Sequence, residues 1–188
     1  GNDELQRYTG DPANVAQDGA GHLRITALRG DDGSWTSARL ESVRDDFAPP
    51  PGGALKLEAR LQLPDGGQGY WPAFWALGAP LRAGTDEWPG VGEIDVVEQV
   101  NGRAEVHGSL HCASDRSTGC GPGRPLTGTT ALDPRGVHVF AVVWDDGAGR
   151  LDWWVDGRRY WTATRDDVGE AAWARATGHG YFLLLNLA

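Results

Sequence analysis

Residues 137–161 read VHVFAVVWDDGAGRLDWWVDGRRYW, which is three apolar runs separated by two turn signals. The first signal, at residues 145–149, has the length of a hairpin loop. The second is Asp156-Gly157, a dipeptide that favours tight hairpin turns. The runs are rich in Val, Phe and Trp, which are residue types that prefer strands. The stretch therefore predicts a meander of three antiparallel strands.

Similar alternating runs occur elsewhere in the chain. Further strands are predicted at residues 23–28, 54–61 and 181–185, and only residues 168–176, rich in Ala and Glu, indicate a helix. The 28 Gly and 11 Pro are scattered between the runs, which is typical of turns in all-β proteins. Many short strands around one core predict an all-β fold, a jelly-roll sandwich of two antiparallel sheets. The length of 188 residues suits one domain, residues 1–188.

Charge and composition exclude some classes of partner. A net charge of −9 and a pI near 4.9 offer little attraction to phosphate groups or to an anionic membrane, so nucleic acid is not expected as a partner. No apolar stretch reaches the roughly 18 residues that a membrane span needs, so no membrane partner is expected. The nine Trp outnumber the four Phe and the four Tyr. A flat indole can carry a sugar ring or simply fill a core, and composition leaves both uses open.

The segment VGEIDVVEQV, residues 91–100, has the residue types of a strand but carries three acids. Acids are depleted in strands, so their presence requires an explanation. In a regular strand alternate residues share a face, which puts Glu93 and Asp95 together and Glu98 on the opposite side. One extra residue, a β-bulge at the two valines between Asp95 and Glu98, would return Glu98 to the face of the other two acids.

Aligned in this way, the acids have the arrangement that retaining glycosidases need. Those enzymes hold two carboxyl groups about 5–5.5 Å apart, one as nucleophile and one as acid/base. Glu93 and Glu98 are candidates for these roles. Asp95 would hydrogen-bond Glu93, and its charge would help to keep a proton on the acid. Two alternatives stay open for the bare acid string, a solvated acidic face and a calcium site made of the three carboxylates.

Several further motifs surround the acid string in a fixed order along the chain. They are NDELQRYT (2–9), TSARL (36–40), GYWPAFW (69–75), GEIDVVE (92–98), VHGSLH (106–111) and YFLLLNLA (181–188). Together these segments resemble the laminarinase branch of glycoside hydrolase family 16, and the resemblance covers essentially the whole chain.

The resemblance implies a concanavalin A-like jelly roll with an open concave cleft. It implies endo-acting hydrolysis of β-1,3-glucan by double displacement, with Glu93 as nucleophile, Asp95 as its assistant and Glu98 as acid/base. The extra residue, Val97, matches the spacing of laminarinases and favours β-1,3 linkages over mixed ones. The alternatives are a family 16 enzyme acting on mixed-linkage β-1,3-1,4-glucan or another glycan, and a non-catalytic β-glucan-binding module.

The resemblance also implies contacts to the polysaccharide. Trp71 and Trp75 resemble indoles that stack on glucosyl rings, Arg39 and Asn2 resemble polar contacts to sugars, and His111 resembles a histidine beside the acid/base. We expect one of the two Trp to face the core, because they stand four residues apart. Arg39 has an alternative role as a surface ion-pair partner, and Asn2 as part of a frayed terminus.

The cysteines and the ends of the chain add further expectations. Cys112 and Cys120 can close a small disulfide loop, which suits an oxidising compartment, and they lack the further ligands of a zinc site. We therefore expect a secreted protein, and a monomer. Relative to the family, strands before residue 2 and after residue 188 are expected to be missing. No cofactor is expected for catalysis, and the structural calcium site known in the family is not supported by the residues present.

Overall fold

The structure, a computed structural model, describes residues 4–114, 120–121, 124–133 and 135–188. Within them the chain forms fifteen strands and three short helices. The strands are β1 (Gln6–Tyr8), β2 (Val15–Gln17), β3 (Leu23–Ile25), β4 (Leu28–Arg29), β5 (Trp35–Ser37), β6 (Arg39–Glu41), β7 (Ala54–Gln62), β8 (Pro72–Gly78), β9 (Glu93–Glu98), β10 (Glu105–His111), β11 (Leu126–Ala131), β12 (Val137–Asp145), β13 (Arg150–Val155), β14 (Arg158–Thr164) and β15 (Tyr181–Leu187). The helices are α1 (Ala79–Ala83), α2 (Arg165–Val168) and α3 (Glu170–Thr177).

Two antiparallel sheets make up the body of the fold. One has six strands in the order β11-β10-β9-β8-β15-β6, and the other has four in the order β14-β13-β12-β7. Their facing sides bury a shared core that includes Ile94 and Leu110 from the first sheet and Phe140, Trp144 and Trp153 from the second. Two small sheets, β1-β5-β4 and β2-β3, flank them. The predicted all-β jelly-roll sandwich is confirmed.

The predicted meander is also confirmed, as β12, β13 and β14. The second turn places Asp156 at φ +50° and Gly157 at φ +74°. Two successive residues with positive φ characterise the turn whose twist matches that of the flanking strands, which explains the Asp-Gly dipeptide. The His138 ring lies 2.7 Å from the Asp156 carboxylate and so connects β12 to this turn.

One predicted element differs from the structure, and one helix in the structure was not predicted. The strand expected at residues 23–28 is split into β3 and β4, which pair with different neighbours. The cause is Asn14, whose buried amide donates to the carbonyl of Thr26 and so takes the place of a strand partner at the break. Helix α1 was not predicted. It has only five residues and no buried side chain, so its sequence shows no helical repeat of apolar residues. The expected helix at 168–176 is present as α3.

The two sheets approach closely beneath β10 and β11. Gly108 and Gly128 stand opposite each other on these strands. A Cβ on Gly108 would lie 2.1 Å from Trp153, and one on Gly128 would lie 2.1 Å from Trp161. The two indoles pack against each other with ring centroids 4.3 Å apart. Glycine is therefore required at both positions for these rings to reach the underside of the six-stranded sheet.

The predicted disulfide is present and joins Cys112, at the end of β10, to Cys120. Both residues are buried and belong to the main core cluster. Among the described parts of the chain, no helix has both the length and the apolar character to cross a bilayer.

Candidate active site

The bulge predicted on the acid strand is present in β9. On each neighbouring strand a single residue stands between the partners of Asp95 and Glu98, namely Phe74 on β8 and Gly108 on β10, whereas β9 itself has two valines there. The extra residue turns the second half of the strand over. As a result Glu93, Asp95 and Glu98 all face away from the core, into the concave side of the six-stranded sheet.

Two indoles donate hydrogen bonds to the outer carboxylates. Trp71 Nε1 donates to Glu98 Oε1 at 2.7 Å, and Trp88 Nε1 donates to Glu93 Oε2 at 3.2 Å. Trp71 lies just before β8, and Trp88 lies in the connection between α1 and β9. Each glutamate is therefore oriented by its own tryptophan, which leaves its second oxygen available for other contacts.

His111 lies close to both Glu93 and Asp95. Its Nε2 lies 3.1 Å from Asp95 Oδ2 and 3.5 Å from Glu93 Oε1, and its ring centroid is 5.6 Å from that of Trp88. Among the described residues no hydrogen bond joins Asp95 to Glu93, although the sequence led us to expect one. The imidazole is within ion-pair distance of both carboxylates. Its charge also acts on Glu98, whose pKa it lowers, so His111 belongs to the same group of side chains as the candidate acid/base.

The carboxylates are buried close together, which disfavours their charged forms. Burial, the largest cause, acts together with the charges of Asp95 and Glu98 to raise the pKa of Glu93 to about 8, against the opposing effects of His111 and Trp88. Burial also raises the pKa of Asp95, with a contribution from Glu98. The pKa of Glu98 is raised by burial as well, against the hydrogen bond from Trp71. Neighbouring like charges oppose each other's ionisation, so burial and mutual repulsion both favour the protonated forms of these acids.

One group in this site has the geometry to hold a metal ion. Ligand atoms of Glu93, Asp95 and His111 all lie within 4.8 Å of one another. The group contains an imidazole in place of Glu98, which suits zinc better than calcium, because calcium prefers oxygen ligands alone. The arrangement therefore gives no support to a calcium site formed by the three carboxylates.

Trp71 and Trp75 both line the cleft. The expectation that one of them faces the core was wrong, because residues separated by an even number of strand positions share a face. Trp75 Nε1 donates to Asn186 Oδ1 at 2.7 Å, and the Arg39 guanidinium lies 4.8 Å from the centre of the Trp75 ring. Arg39 also forms an ion pair with Glu41 at 3.0 Å, so it takes part in the cleft wall and in a surface pair.

These side chains enclose a pocket of about 280 Å³ over the carboxylates. Its lining consists of Glu4, Tyr8, Arg39, Trp71, Ala73, Trp75, Trp88, Glu93, Asp95, Glu98, Asn186 and Ala188. A neighbouring pocket of about 340 Å³ shares Glu4, Trp71 and Ala188 with it and is lined largely by apolar atoms, including those of Trp35 and Tyr70. The two pockets therefore adjoin each other at these shared residues. Asn2, the remaining predicted contact, lies outside the described residues.

Sequence reasoning missed three residues of the site. Trp88 precedes Glu93 by five positions, and its location beside the acid string was the one available signal. Tyr8 donates to Glu4 at 3.1 Å and accepts from Asn186 at 3.3 Å. Burial, together with the charge of Glu4, raises the pKa of Tyr8 to about 12, so the phenol stays protonated as a donor. The sequence around Tyr8 does not reveal its place in the site, because its contact with Asn186 joins residues at opposite ends of the chain.

Comparison with known proteins agrees with this geometry. A family described as the XgeA-like, catalytic GH16 domain matches residues 34–129. The chain is 33% identical to a beta-glucanase of Rhodothermus marinus over its whole length and covers 65% of that protein. It is 30% identical to a glucan endo-1,3-beta-glucosidase of Cryptopygus antarcticus, again over its whole length, and covers 70% of that protein.

A solved structure gives the same result. The endo-1,3-beta-glucanase of Streptomyces sioyaensis superposes with a TM-score of 0.91 at 40% identity, over 99% of this chain and 70% of that one. The chain thus spans about two thirds of the length of these three relatives. Family match, identity and superposition agree, and the chain belongs to glycoside hydrolase family 16.

Proposed function

We propose that the chain is the catalytic domain of a secreted, retaining endo-β-1,3-glucanase. The observation that carries the proposal is the bulged strand β9, which turns Glu93, Asp95 and Glu98 into one cleft. A pair of glutamates on one face, each oriented by an indole N–H, is suited to double displacement at an anomeric carbon.

In the first step a Glu93 oxygen attacks the anomeric carbon, the bond to the leaving sugar breaks, and the proton of Glu98 passes to the leaving oxygen. In the second step water attacks the same carbon and gives its proton to Glu98, and the bond to Glu93 breaks. This sequence requires Glu93 ionised and Glu98 protonated at the start. The Trp88 N–H and the His111 ring favour the anion on Glu93, against burial and the charges of Asp95 and Glu98, so the reactive anion forms as pH rises toward the Glu93 pKa of about 8. Burial favours a proton on Glu98, and repulsion between Asp95 and Glu98 favours a proton on one member of that pair.

The choice of β-1,3-glucan has two supports. The bulged spacing is that of laminarinases, and two of the relatives described above are named as acting on 1,3-β-glucan. A neutral polymer is compatible with the net charge of −9. The open groove of two joined pockets, walled by Trp71 and Trp75, suits a long chain that is cut internally.

The proposal extends to the cellular setting. The Cys112–Cys120 disulfide suits an oxidising compartment, so we place the protein outside the cell. The polysaccharide is the expected partner, and the domain is expected to act as a monomer without a cofactor.

Reducing-end release from laminarin, mixed-linkage β-glucan and agarose tests the proposal. We expect release from laminarin that Glu93→Gln and Glu98→Gln each reduce by about 10²–10⁴-fold. Glu58→Gln, an exposed change on β7 of the other sheet, serves as control and should leave the rate unchanged. Proton NMR of the first product should show retained anomeric configuration.

Other results would change the conclusion. Release from agarose alone, or from mixed-linkage glucan alone, would preserve the mechanism and refute the substrate. Inversion at the anomeric carbon would refute the roles of the two glutamates. Binding to laminarin without release by the folded protein would favour a glucan-binding module.

A further inference from the structure

The bulge in β9 is the feature on which the alignment of the acids depends. Side chains alternate along a strand, so a shift of one residue after Asp95 would turn Glu98 into the core. A bulge also interrupts the hydrogen-bond ladder and leaves backbone groups without their usual partners. Something outside the strand must therefore favour the bulged form over the regular one.

Trp153 supplies a contact at that point. Its Nε1 donates to the carbonyl oxygen of Asp95 at 2.7 Å, from β13 in the facing sheet. An acceptor that is reached from the facing sheet points at least partly out of its own sheet. That is the orientation expected where a bulge begins, and the bond fixes the last backbone carbonyl before the two valines.

The opposite strand is built to admit this indole. Gly108 is the single residue of β10 that faces the two valines. A Cβ there would lie 2.1 Å from Trp153 Cδ1 and 2.5 Å from its Nε1. On the other side the ring packs against Trp161, which is itself admitted by Gly128. The indole is therefore held between Gly108 and Trp161 with its N–H directed at Asp95.

Burial alone does not explain the bond. Trp144, on β12 of the same sheet, is just as buried, with 1% exposure against 0% for Trp153. Its Nε1 has no hydrogen-bond partner within the described part of the chain. Two core indoles of one sheet are thus equally buried, but only Trp153 donates a hydrogen bond to the carboxylate strand.

We propose that Trp153 is a positioning residue for the reaction. Its N–H holds the bulge of β9 in place and so keeps Glu98 on the same face as Glu93. This inference rests on the proposed function, because its kinetic consequence requires Glu98 to act as acid/base. The structural consequence does not require it.

The test compares Trp153→Phe with Trp144→Phe. Both changes replace a buried indole by a smaller ring, so both should lower the melting temperature, but only the first removes the bond to Asp95. We expect Trp153→Phe to lower kcat on laminarin by roughly 10–100-fold with little change in KM, as for other small misplacements of a reacting group. Its pH–rate profile should shift on the limb set by the acid. Trp144→Phe should keep the wild-type kcat and profile.

A second substitution covers the case in which Trp153→Phe does not fold. Benzothienylalanine, which has the shape of Trp with sulfur in place of the N–H, can be incorporated at position 153. We expect the same loss of kcat with a nearly unchanged melting temperature. Wild-type kcat and pH profile in this variant, or equal losses in the position 144 and position 153 variants, would overturn the proposal.

Amide hydrogen exchange separates this inference from the proposed function. Faster exchange of residues 96–98 in the position 153 variants than in Trp144→Phe would support a role in holding the bulge even if the wild-type protein cut no glucan. Unchanged exchange at 96–98 in an active enzyme would refute the role of Trp153 and leave the glucanase proposal intact.

Discussion

Asp95 and Asp152 are buried to the same degree, each with 3% exposure, one in each large sheet. Asp152, on β13, is surrounded by compensating groups. Arg150 and Arg159 approach it at 3.0 and 3.2 Å, and the Thr162 hydroxyl donates to it at 2.6 Å. Asp95 lacks such partners. Its Oδ2 accepts no hydrogen bond from the described residues and has only the His111 ring at 3.1 Å.

Under the proposed function, the difference separates a structural carboxylate from one that takes part in the reaction. A buried charge that is paired and hydrogen-bonded is held in one state, and its removal leaves the partners unsatisfied. A buried carboxylate beside two other acids has a strongly perturbed pKa, and such groups concentrate at reactive sites. Burial is equal at the two positions, so it is the choice of neighbours that distinguishes the roles.

Among the changes that test the comparison of the two aspartates, the largest effect is expected from Asp95→Asn, which removes the charge and keeps the shape. We expect kcat on laminarin to fall by about 10–100-fold, since loss of a neighbouring negative charge lowers the pKa of Glu98. The alkaline limb of the pH–rate profile should move to lower pH. The free energy of unfolding should not fall, because Oδ2 loses no hydrogen bond. Unchanged kcat would show that Asp95 works in its neutral form.

Glu93→Gln should show how far the buried carboxylate of Glu93 lowers the free energy of unfolding at alkaline pH. The pKa of Glu93 is about 8 in the folded protein against an ordinary 4.5, so the folded state binds more protons between these pH values, and stability falls as pH rises. Gln does not ionise, so the free energy of unfolding of the variant does not fall in this way. We expect the two proteins to be alike near pH 4 and the variant to be more stable by about 4–5 kcal/mol at pH 9.

Urea unfolding across this pH range measures the difference. Glu58→Gln should follow the wild-type curve, because that side chain is exposed. A constant difference between Glu93→Gln and wild type at all pH values would contradict the burial of an ionisable Glu93.

Asp152→Asn should show the opposite pattern to Asp95→Asn. It weakens the attraction to Arg150 and Arg159, and these guanidinium groups are about half exposed, so water compensates part of the loss. We expect a decrease of about 1–2 kcal/mol in the free energy of unfolding at neutral pH, with unchanged kcat on laminarin. A loss of activity in a folded Asp152→Asn protein would break the distinction between the two aspartates.

The bulge in the acid strand could be predicted because it depends only on residues that are neighbours in the sequence. Counting two valines between Asp95 and Glu98, and knowing that strands alternate, is sufficient to require a bulge, and the bulge is present. The same rule places Trp71 and Trp75 on one face. The expectation that one of them faces the core was wrong because the rule was not applied to them.

Other features depend on contacts across the fold and leave no local signal. The bond from Trp153 to Asp95 joins residues 58 positions apart, and that from Trp75 to Asn186 joins residues 111 apart. The contrast between Asp95 and Asp152 is of the same kind. In sequence both are single acids between apolar neighbours, and Arg159 reaches Asp152 only because β13 and β14 form a hairpin.

The smallest expected effect concerns Asp156, an exposed aspartate that extends the comparison to the surface. Its carboxylate lies 2.7 Å from His138 Nδ1, and this hydrogen bond raises the pKa of His138. The other groups acting on the ring are the backbone carbonyl and the charge of Asp133, and both raise the pKa as well.

Since the folded-state pKa of His138 is raised, the His138–Asp156 pair stabilises the fold below the ordinary histidine pKa of about 6.5 and loses that contribution as pH rises through the folded value. A double-mutant cycle of His138→Gln and Asp156→Asn should give a coupling below about 1 kcal/mol at pH 5.5 that disappears by pH 9. Coupling that is independent of pH would mean that the neutral imidazole makes the same bond, and that charge contributes nothing at this exposed site.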